Sequence, residues 1–240
     1  MNHRERAREY ILTSLFLVGV IALAKIKFHP IFGTPHKFSA LTMYAPVIPA
    51  FTGTLFGAIV IFGARVIQLA FGLSQANDIV SYIIYLPVFL AGYYFSKMFK
   101  NKRYHVLLPI MLMALFLVHP IGRQVWYYSL FWLIPIIIAV SQTRIRKLLR
   151  THDIPTIYLY ALAATFIDHA VGSVMFLYYI NIPAKYWIMS IPFVPIERLI
   201  YALGITLFYL TIRTVLKLAR ENLNLQLLRE ESVLMTREEN

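Results

Sequence analysis

Five charged side chains lie within otherwise apolar stretches of the sequence, where a charge is costly unless it has a partner or a function. They are Arg65, the adjacent pair Asp168 and His169, and the adjacent pair Glu197 and Arg198. An acid beside a histidine could act as general acid and base, and charges in membrane segments often contact a solute or an ion. The five positions are therefore candidates for catalysis, solute binding or helix packing.

Asp168 is the sharpest of these candidates. A carboxylate in apolar surroundings must be paired with a cation, hydrated in a cavity or protonated. We expect Asp168 to contact a solute or a partner, with structural pairing to Arg65 or Arg198 as the alternative. His169 lies about 100° further round a helix, so we do not expect both side chains to point into one cavity. For His169 we expect a hydrogen bond between helices, with donation to a solute as the alternative.

Arg65 and Glu197 each leave two interpretations open. Arg65 could pair with a carboxylate that fixes helix packing, or it could contact a solute directly. Glu197 could form a local pair with Arg198 near the outer surface, or it could contribute to a site. The elements that carry these residues decide between the interpretations.

The composition indicates a membrane protein. Of 240 residues, 59% are hydrophobic and 14% charged, whereas soluble domains carry about 25% charged residues. The net charge of +12 comes from basic clusters between apolar stretches, and no nucleic-acid-binding motif accompanies them. This pattern favours topology-setting loops and contact with membrane lipid over nucleic acid. We therefore predict a multi-pass protein of the cell membrane.

Cysteine and histidine usage limits the chemistry. The chain has no cysteine, which excludes disulfides, thiolate zinc sites and a cysteine nucleophile. Its seven histidines include no close H-x-x-x-H pair. We therefore predict no metal site and no cofactor.

The apolar stretches predict helices, because a helix closes its own backbone hydrogen bonds in lipid. They cover residues 9–25, 38–72, 79–96, 105–120, 125–141, 155–180 and 186–216. The stretch 38–72 exceeds the roughly 20 residues of one crossing, and Pro49, Gly53 and Gly57 favour a break near Gly53. The Gly53-x-x-x-Gly57 pattern, continued by Gly63, predicts close helix packing.

Loop charges give the orientation. Most basic residues fall in four clusters, at 4–8, 97–103, 144–150 and 213–220. The positive-inside rule places all four clusters in the cytoplasm, which requires the stretch 38–72 to cross twice. We therefore predict an all-α integral membrane protein with about eight transmembrane helices and both termini cytoplasmic. Residues 1–216 would form one transmembrane domain, followed by a charged, amphipathic cytoplasmic tail at 217–240.

Several short segments, in order, carry a resemblance to a known family. Within residues 9–103 they are the outer loop 29–35 (HPIFGTP), the proline-bearing segment 46–50 (PVIPA), the glycine segment 53–58 (GTLFGA) and the helix 85–92 (YLPVFLAG). Residues 155–216 add two helices around the outer loop 181–187 (NIPAKYW). In this order they resemble the substrate-binding S component of energy-coupling factor (ECF) transporters. The family typically has six helices, so the resemblance implies a six-helix core with an extra hairpin at about 105–141.

The resemblance implies a subunit that binds a small vitamin-like solute near the outer face. A transmembrane coupling protein and separate ATPase subunits would supply the energy, and the chain itself lacks the nucleotide motif G-x-x-x-x-G-K-[ST]. Pocket candidates in the outer loops would be His29, His36, Tyr44, Gln75, Asn77, Asp78, Tyr186 and Trp187. Asp168 and Glu197 would form the floor. The predicted substrate-binding set is Asp168, His169, Glu197, Tyr44, Arg65, Asn77 and Trp187.

Two other classes of function compete with transport. An intramembrane enzyme could use Asp168 and His169, with His119 or Glu197, as acid and base. The sequence contains neither G-x-S-x-G nor H-E-x-x-H, so we predict no enzymatic activity. A membrane scaffold or assembly protein could instead use the glycine pattern as its interface.

Overall fold

The computed structural model describes the backbone of residues 3–34, 36–100, 104–149 and 153–238, and side chains within 13–28, 30–34, 36–100, 105–149 and 153–219. About four fifths of the chain is helical, which confirms the predicted all-α class. The first half contains α1 (His3–Lys25), β1 (Lys27–Pro30), β2 (Lys37–Ser39), α2 (Leu41–Tyr44), a 3-10 turn (Ala45–Val47), α3 (Ile48–Thr52), α4 (Thr54–Ala70), α5 (Ile79–Ile83) and α6 (Leu86–Met98). The second half contains a 3-10 turn (Tyr104–Val106), α7 (Leu107–Val118), α8 (Pro120–Gln124), a 3-10 segment (Trp126–Trp132), α9 (Leu133–Val140), α10 (Gln142–Leu148), α11 (Ile154–Tyr179), α12 (Ala184–Ser190) and α13 (Phe193–Glu238).

Several helices are apolar enough to cross a membrane. Among the described residues, three have sufficient length, and a bent pair with a 57° break would be a fourth. The three are Ile79–Met98, Ile154–Tyr179 and Phe193–Ala219, and the bent pair joins Trp126–Val140 to Gln142–Leu148. Shorter apolar helices cover Thr13–Lys25, Leu41–Thr52, Thr54–Ala70 and Leu107–Val118. Large apolar side chains on the outer faces, such as Leu55, Ile59 and Val66 of α4, are exposed, as contact with lipid requires.

Helix α11 forms the centre of the core. It packs against α6, α7 and α9, and small buried residues such as Ala163, Ala164 and Ala170 allow these neighbours to approach closely. Asp168 and His169 lie in the middle of this buried helix. Their surroundings are therefore set by helix packing rather than by solvent.

The stretch 38–72 is broken at Gly53, as its sequence predicts. Gly53 separates α3 from α4 with a φ of 82°, a backbone conformation that glycine adopts without strain. The predicted close helix packing is wrong at Gly53 and Gly63, because a Cβ at either position would meet nothing within 4 Å. A Cβ at Gly57 would lie 2.8 Å from Cγ of Pro49, and one at Gly92 of α6 would lie 2.9 Å from the same atom. The ring of Pro49 therefore packs closely against both α4 and α6.

A short antiparallel β hairpin precedes the second apolar stretch. Lys27 pairs with Ser39, and Pro30 pairs with Lys37. Gly33 turns the chain with a φ of 74°, and the Thr34 hydroxyl donates a hydrogen bond of 3.1 Å to the carbonyl of Ile31. The predicted outer loop 29–35 thus includes the end of a strand and a tight turn.

The chain divides into two compact units, residues 1–206 and 207–240. Helix α13 is continuous past residue 216, and the predicted tail is helical as far as Glu238. Side chains beyond Ala219 lie outside the described residues.

Candidate solute site

A cavity of about 430 Å³ lies within the first unit. Its walls come from the end of α1, the β hairpin, the second half of α4, residues 73–75, the start of α6, the second half of α11, α12 and the start of α13. Small-molecule sites are typically about 300–1,000 Å³ and combine apolar walls with a few polar groups. The size and lining of this cavity therefore suit a small organic molecule.

Two carboxylates of the cavity wall, Asp168 and Glu197, share one buried arginine. Arg198 is fully buried, and its Nη1 lies 3.1 Å from Oδ2 of Asp168 while its Nη2 lies 3.3 Å from Oε2 of Glu197. The guanidinium also stacks against the rings of Phe38 and Tyr201, with its central carbon 5.1 and 4.7 Å from their centroids. Asp168 therefore pairs with Arg198 rather than with Arg65, and Glu197 forms the local pair that was one of its two interpretations. Both carboxylates still line the cavity.

His169 joins α11 to the 3-10 segment. Its Nδ1 accepts a hydrogen bond of 3.1 Å from Nε1 of Trp132, and its Nε2 lies 2.8 Å from the hydroxyl of Tyr128. Since an indole N–H only donates, Nδ1 is the acceptor, and the proton of a neutral imidazole lies on Nε2 and points to Tyr128. The hydroxyl of Tyr128 also accepts from Ser190 at 3.3 Å. The predicted bond between helices is present, and both ring nitrogens are engaged.

The expectation that Asp168 and His169 would not share a cavity is wrong. Both line it, together with Tyr128 and Trp187. The cavity wraps round a wide face of α11, so a rotation of about 100° between neighbouring residues stays within its wall.

Arg65 lies on α4, away from the carboxylates. It is only 5% exposed, and its Nη1 donates a hydrogen bond of 2.9 Å to the Ser74 hydroxyl. Nη2 donates to the carbonyl of Ser81, and the guanidinium carbon lies 5.6 Å from the ring centroid of Tyr85. In the described part of the chain no carboxylate lies within ion-pair distance of Arg65. The interpretation of Arg65 as the partner of a carboxylate is therefore wrong, because neutral groups of the following loop and of α5 hold it.

A contact between His36 and Asp78 connects the β hairpin with the loop before α5. Nε2 of His36 lies 3.3 Å from Oδ2 of Asp78. Oδ1 of Asp78 accepts hydrogen bonds of 2.7 Å from the Ser81 hydroxyl and 2.6 Å from the Ser81 backbone N–H, which caps α5. The Ser81 hydroxyl above all, and then the Ser81 N–H and His36, lower the pKa of Asp78. His36 lines the cavity, whereas Asp78 contacts His36 from outside the lining.

Aromatic side chains surround part of the cavity. The rings of Tyr128 and Trp187 meet edge to face with centroids 5.1 Å apart, and both are buried. The ring centroids of Phe176 and His36 are 5.7 Å apart. Trp126 is exposed and suits the membrane interface. Such rings can pack against a ring or an apolar chain of a bound molecule.

Five of the seven predicted binding residues line the cavity, and two do not. The five are Asp168, His169, Glu197, Arg65 and Trp187. Tyr44 lies outside the lining, because its ring turns towards α1 and packs 6.2 Å from the ring of Phe16. Asn77 is exposed on the loop before α5 and is also outside the lining.

The other loop candidates also divide. His36, Gln75 and Tyr186 line the cavity, whereas the side chain of His29 lies outside the described residues. The sequence reasoning missed Lys27, Gln68, Ser173 and Phe176, all of which contribute to the lining. The spacing of Asp168, Gly172 and Phe176 at four residues was an available signal, since it places them on one helix face. Among the described residues no group of three metal-binding side chains occurs.

Comparisons with known proteins give little information about function. No protein-family model matches the chain, and no solved structure matches it. An uncharacterized protein of Methanocaldococcus jannaschii is 26% identical over 197 residues, which is 80% of this chain. The match covers 65% of that relative, so this chain spans less than two thirds of its length.

Proposed function

We propose that the protein is a membrane-embedded solute-binding subunit for uptake of a small vitamin-like molecule, energised by separate ATPase partners. The cavity of about 430 Å³ carries this proposal. Its wall combines buried charged groups with aromatic rings, as expected of a site that selects a small organic molecule. The resemblance to S components of ECF transporters supports the same function.

The proposal includes eight transmembrane segments with the cavity near the outer face. Both ends of the stretch 38–72 contribute to the cavity, through Phe38 and Gln68, whereas the break at Gly53 does not. This supports a segment that crosses the membrane and returns. The extra hairpin would follow the same pattern, with Tyr128 at the cavity and its two ends at the opposite face.

A network at the end of α6 supports a common cytoplasmic face for two basic loops. The carbonyl of Met98 accepts a hydrogen bond of 2.7 Å from Nη2 of Arg146 and another from Nε2 of Gln142. Nε2 of Gln142 also lies 3.2 Å from the carbonyl of Lys100. These bonds join residues 98–100 to residues 142–146. This proximity supports the proposal that the two basic loops share one side of the membrane, as the positive-inside rule requires of cytoplasmic loops.

The hydrogen bonds of the cavity favour binding over acid–base catalysis. Both ring nitrogens of His169 are engaged, and the carboxylates of Asp168 and Glu197 are held by one guanidinium. A general base must reach a proton of the substrate. His169 cannot do so without giving up a buried hydrogen bond.

The test is whether a small molecule occupies the cavity of the purified protein. Native mass spectrometry of detergent-purified wild type should show a bound molecule that denaturation releases. Gly172→Leu should abolish retention, because a side chain there extends into space bounded by Phe176 and Pro87, both in the cavity wall. Gly63→Leu is the matched control, since a Cβ at this helix position meets nothing within 4 Å. Absence of a bound molecule in wild type, or equal retention in both variants, would contradict the proposal.

Transport provides a second test. Purified protein in liposomes should not accumulate the released compound without partner ATPases, because the sequence lacks a nucleotide-binding motif. Accumulation driven by an ion gradient alone would contradict the assignment as an energised subunit.

A further inference from the structure

Arg65 is a buried cation for which the described part of the chain supplies no compensating anion. It lines the cavity, and its two described partners are a serine hydroxyl and a backbone carbonyl. Its Nε is buried and makes no hydrogen bond. A buried charge is stabilised when an opposite charge and further hydrogen bonds compensate its loss of hydration. The local structure supplies hydrogen bonds to Arg65 but no charge.

Lys27 adds a second cation to the cavity wall. It lies on β1 and lines the cavity. Its partial burial, and secondly the positive charge of Arg65, lower the pKa of Lys27. Two cations that repel each other across a cavity would both be stabilised by an anion between them. Lys25 and Lys37 also line the cavity and strengthen its positive potential.

The carboxylates of the cavity do not fill this role. Asp168 and Glu197 are both paired with Arg198. Asp78, which pairs with His36, does not line the cavity. The described lining residues therefore include four cations and two carboxylates, and both carboxylates are already paired with Arg198.

We propose that the solute carries an anionic group, a carboxylate or a phosphate, which Arg65 binds with the help of Lys27. The remainder of the solute then packs against the rings of Tyr128, Phe176 and Trp187. A guanidinium suits this role because its N–H groups can contact two oxygens of one carboxylate or phosphate. This inference rests on the proposed function, and it adds the charge of the solute.

Matched anionic and neutral probes test the charge requirement. Thermal melts of dialysed protein are recorded with benzoate, phenyl phosphate or benzamide at millimolar concentration. Benzoate or phenyl phosphate should stabilise wild type, and benzamide should not. Arg65→Gln should weaken binding of the anionic probe by at least about tenfold, equivalent to roughly 1.4 kcal/mol, and Arg65→Lys should retain part of it. Arg123→Gln, at an exposed arginine outside the cavity, should bind as wild type does.

Two results in the probe experiment would overturn the proposal. One is equal stabilisation by benzamide and benzoate, and the other is unchanged binding of the anion by Arg65→Gln. The identity of the molecule retained by wild type gives an independent test, even if the Arg65 variants do not fold.

The retained molecule separates this inference from the proposed function. A small compound with a carboxylate or phosphate supports both. A small neutral or cationic compound would overturn the inference and leave solute binding intact. A phospholipid would show that Arg65 holds a lipid headgroup, which overturns the assignment to a solute. If wild type retains no molecule and no probe stabilises it, both proposals fail.

Discussion

The sharing of Arg198 by Asp168 and Glu197 predicts that the two carboxylates are energetically coupled. Each lies within 3.3 Å of a guanidinium nitrogen in a fully buried arginine. Asp168→Asn leaves Arg198 with Glu197, and Glu197→Gln leaves it with Asp168. Either single change should lower the free energy of unfolding by about 1.5–3 kcal/mol, the range for a hydrogen bond to a charged group. Glu197, whose side chain is 18% exposed, should lie at the lower end.

The double variant removes both anions and leaves the buried cation uncompensated. Breaking a buried pair costs about 3–5 kcal/mol for this reason. The loss in the double variant should therefore exceed the sum of the single losses by about 1–3 kcal/mol, as expected for residues in one network. Arg198→Met added to the double variant should restore stability, because it removes the unpaired charge and keeps most of the volume.

Equilibrium unfolding in mixed micelles, followed by circular dichroism, measures these differences. Single losses that add to within about 0.5 kcal/mol would refute the shared-cation reasoning. A triple variant less stable than the double variant would refute it as well. The changes at Asp168 and Glu197 keep the length of the side chains unchanged, and Arg198→Met keeps most of the volume, which limits effects of cavity formation.

Binding of the retained molecule distinguishes the solute role of Asp168 from its structural role. If Asp168 contacts the solute, Asp168→Asn should bind the molecule released from wild type at least about tenfold more weakly, a loss of roughly 1.4 kcal/mol. Ligand-induced shifts in thermal melts provide the measurement. A variant that melts at a lower temperature but keeps the full shift would assign Asp168 to packing alone.

Three further predictions concern topology, acid stability and helix packing. Cysteines introduced at Phe32 and Lys100 should react with an impermeant maleimide from opposite sides of the membrane, and labelling from one side would contradict the double crossing of residues 38–72. Asp78→Asn should lower the melting temperature of the protein at pH 6. The difference in melting temperature from wild type should shrink as the pH falls below the unfolded pKa of 3.8, because protonation of the carboxylate removes a stabilisation that is present above that value. A difference independent of pH would refute this. Gly92→Ala should cost about 1–3 kcal/mol in unfolding assays because its Cβ would lie 2.9 Å from a proline ring. Gly63→Ala, with open space around it, should be neutral or stabilising, and equal effects at the two glycines would contradict the packing.

The sequence predicts the charged residues of the site better than their partners. A charge within an apolar stretch is visible in the sequence, and Arg65, Asp168 and Glu197 all line the cavity. The choice of Arg198 over Arg65 as the partner of Asp168 depends on how α11 packs against α13, which no local pattern specifies. Lys27 was missed because a lysine in a loop resembles a solvated charge until the hairpin is placed.

The prediction that Tyr44 lines the cavity is wrong because the local sequence does not define which face of its helix points inward. Helix α2 has one turn and is followed by a 3-10 turn, so the apolar periodicity is too short to define an inward face. The break at Gly53 was predictable, because prolines and glycines restrict the backbone locally. The contact of Gly92 with Pro49 was not, because the two residues lie on different helices and nothing in their spacing connects them.

The shorter apolar helices have a consequence for the surrounding bilayer. Helix α7 has 12 residues and α4 has 17, which gives lengths of about 18 and 26 Å at roughly 1.5 Å per residue. Both expose large apolar side chains, yet a typical hydrocarbon layer is about 30 Å thick. If α4 and α7 cross the membrane as proposed, the bilayer beside them would have to become thinner, at a cost of fractions of a kcal/mol per Å. The protein should therefore favour thin membranes, and lipids with longer acyl chains should progressively destabilise it.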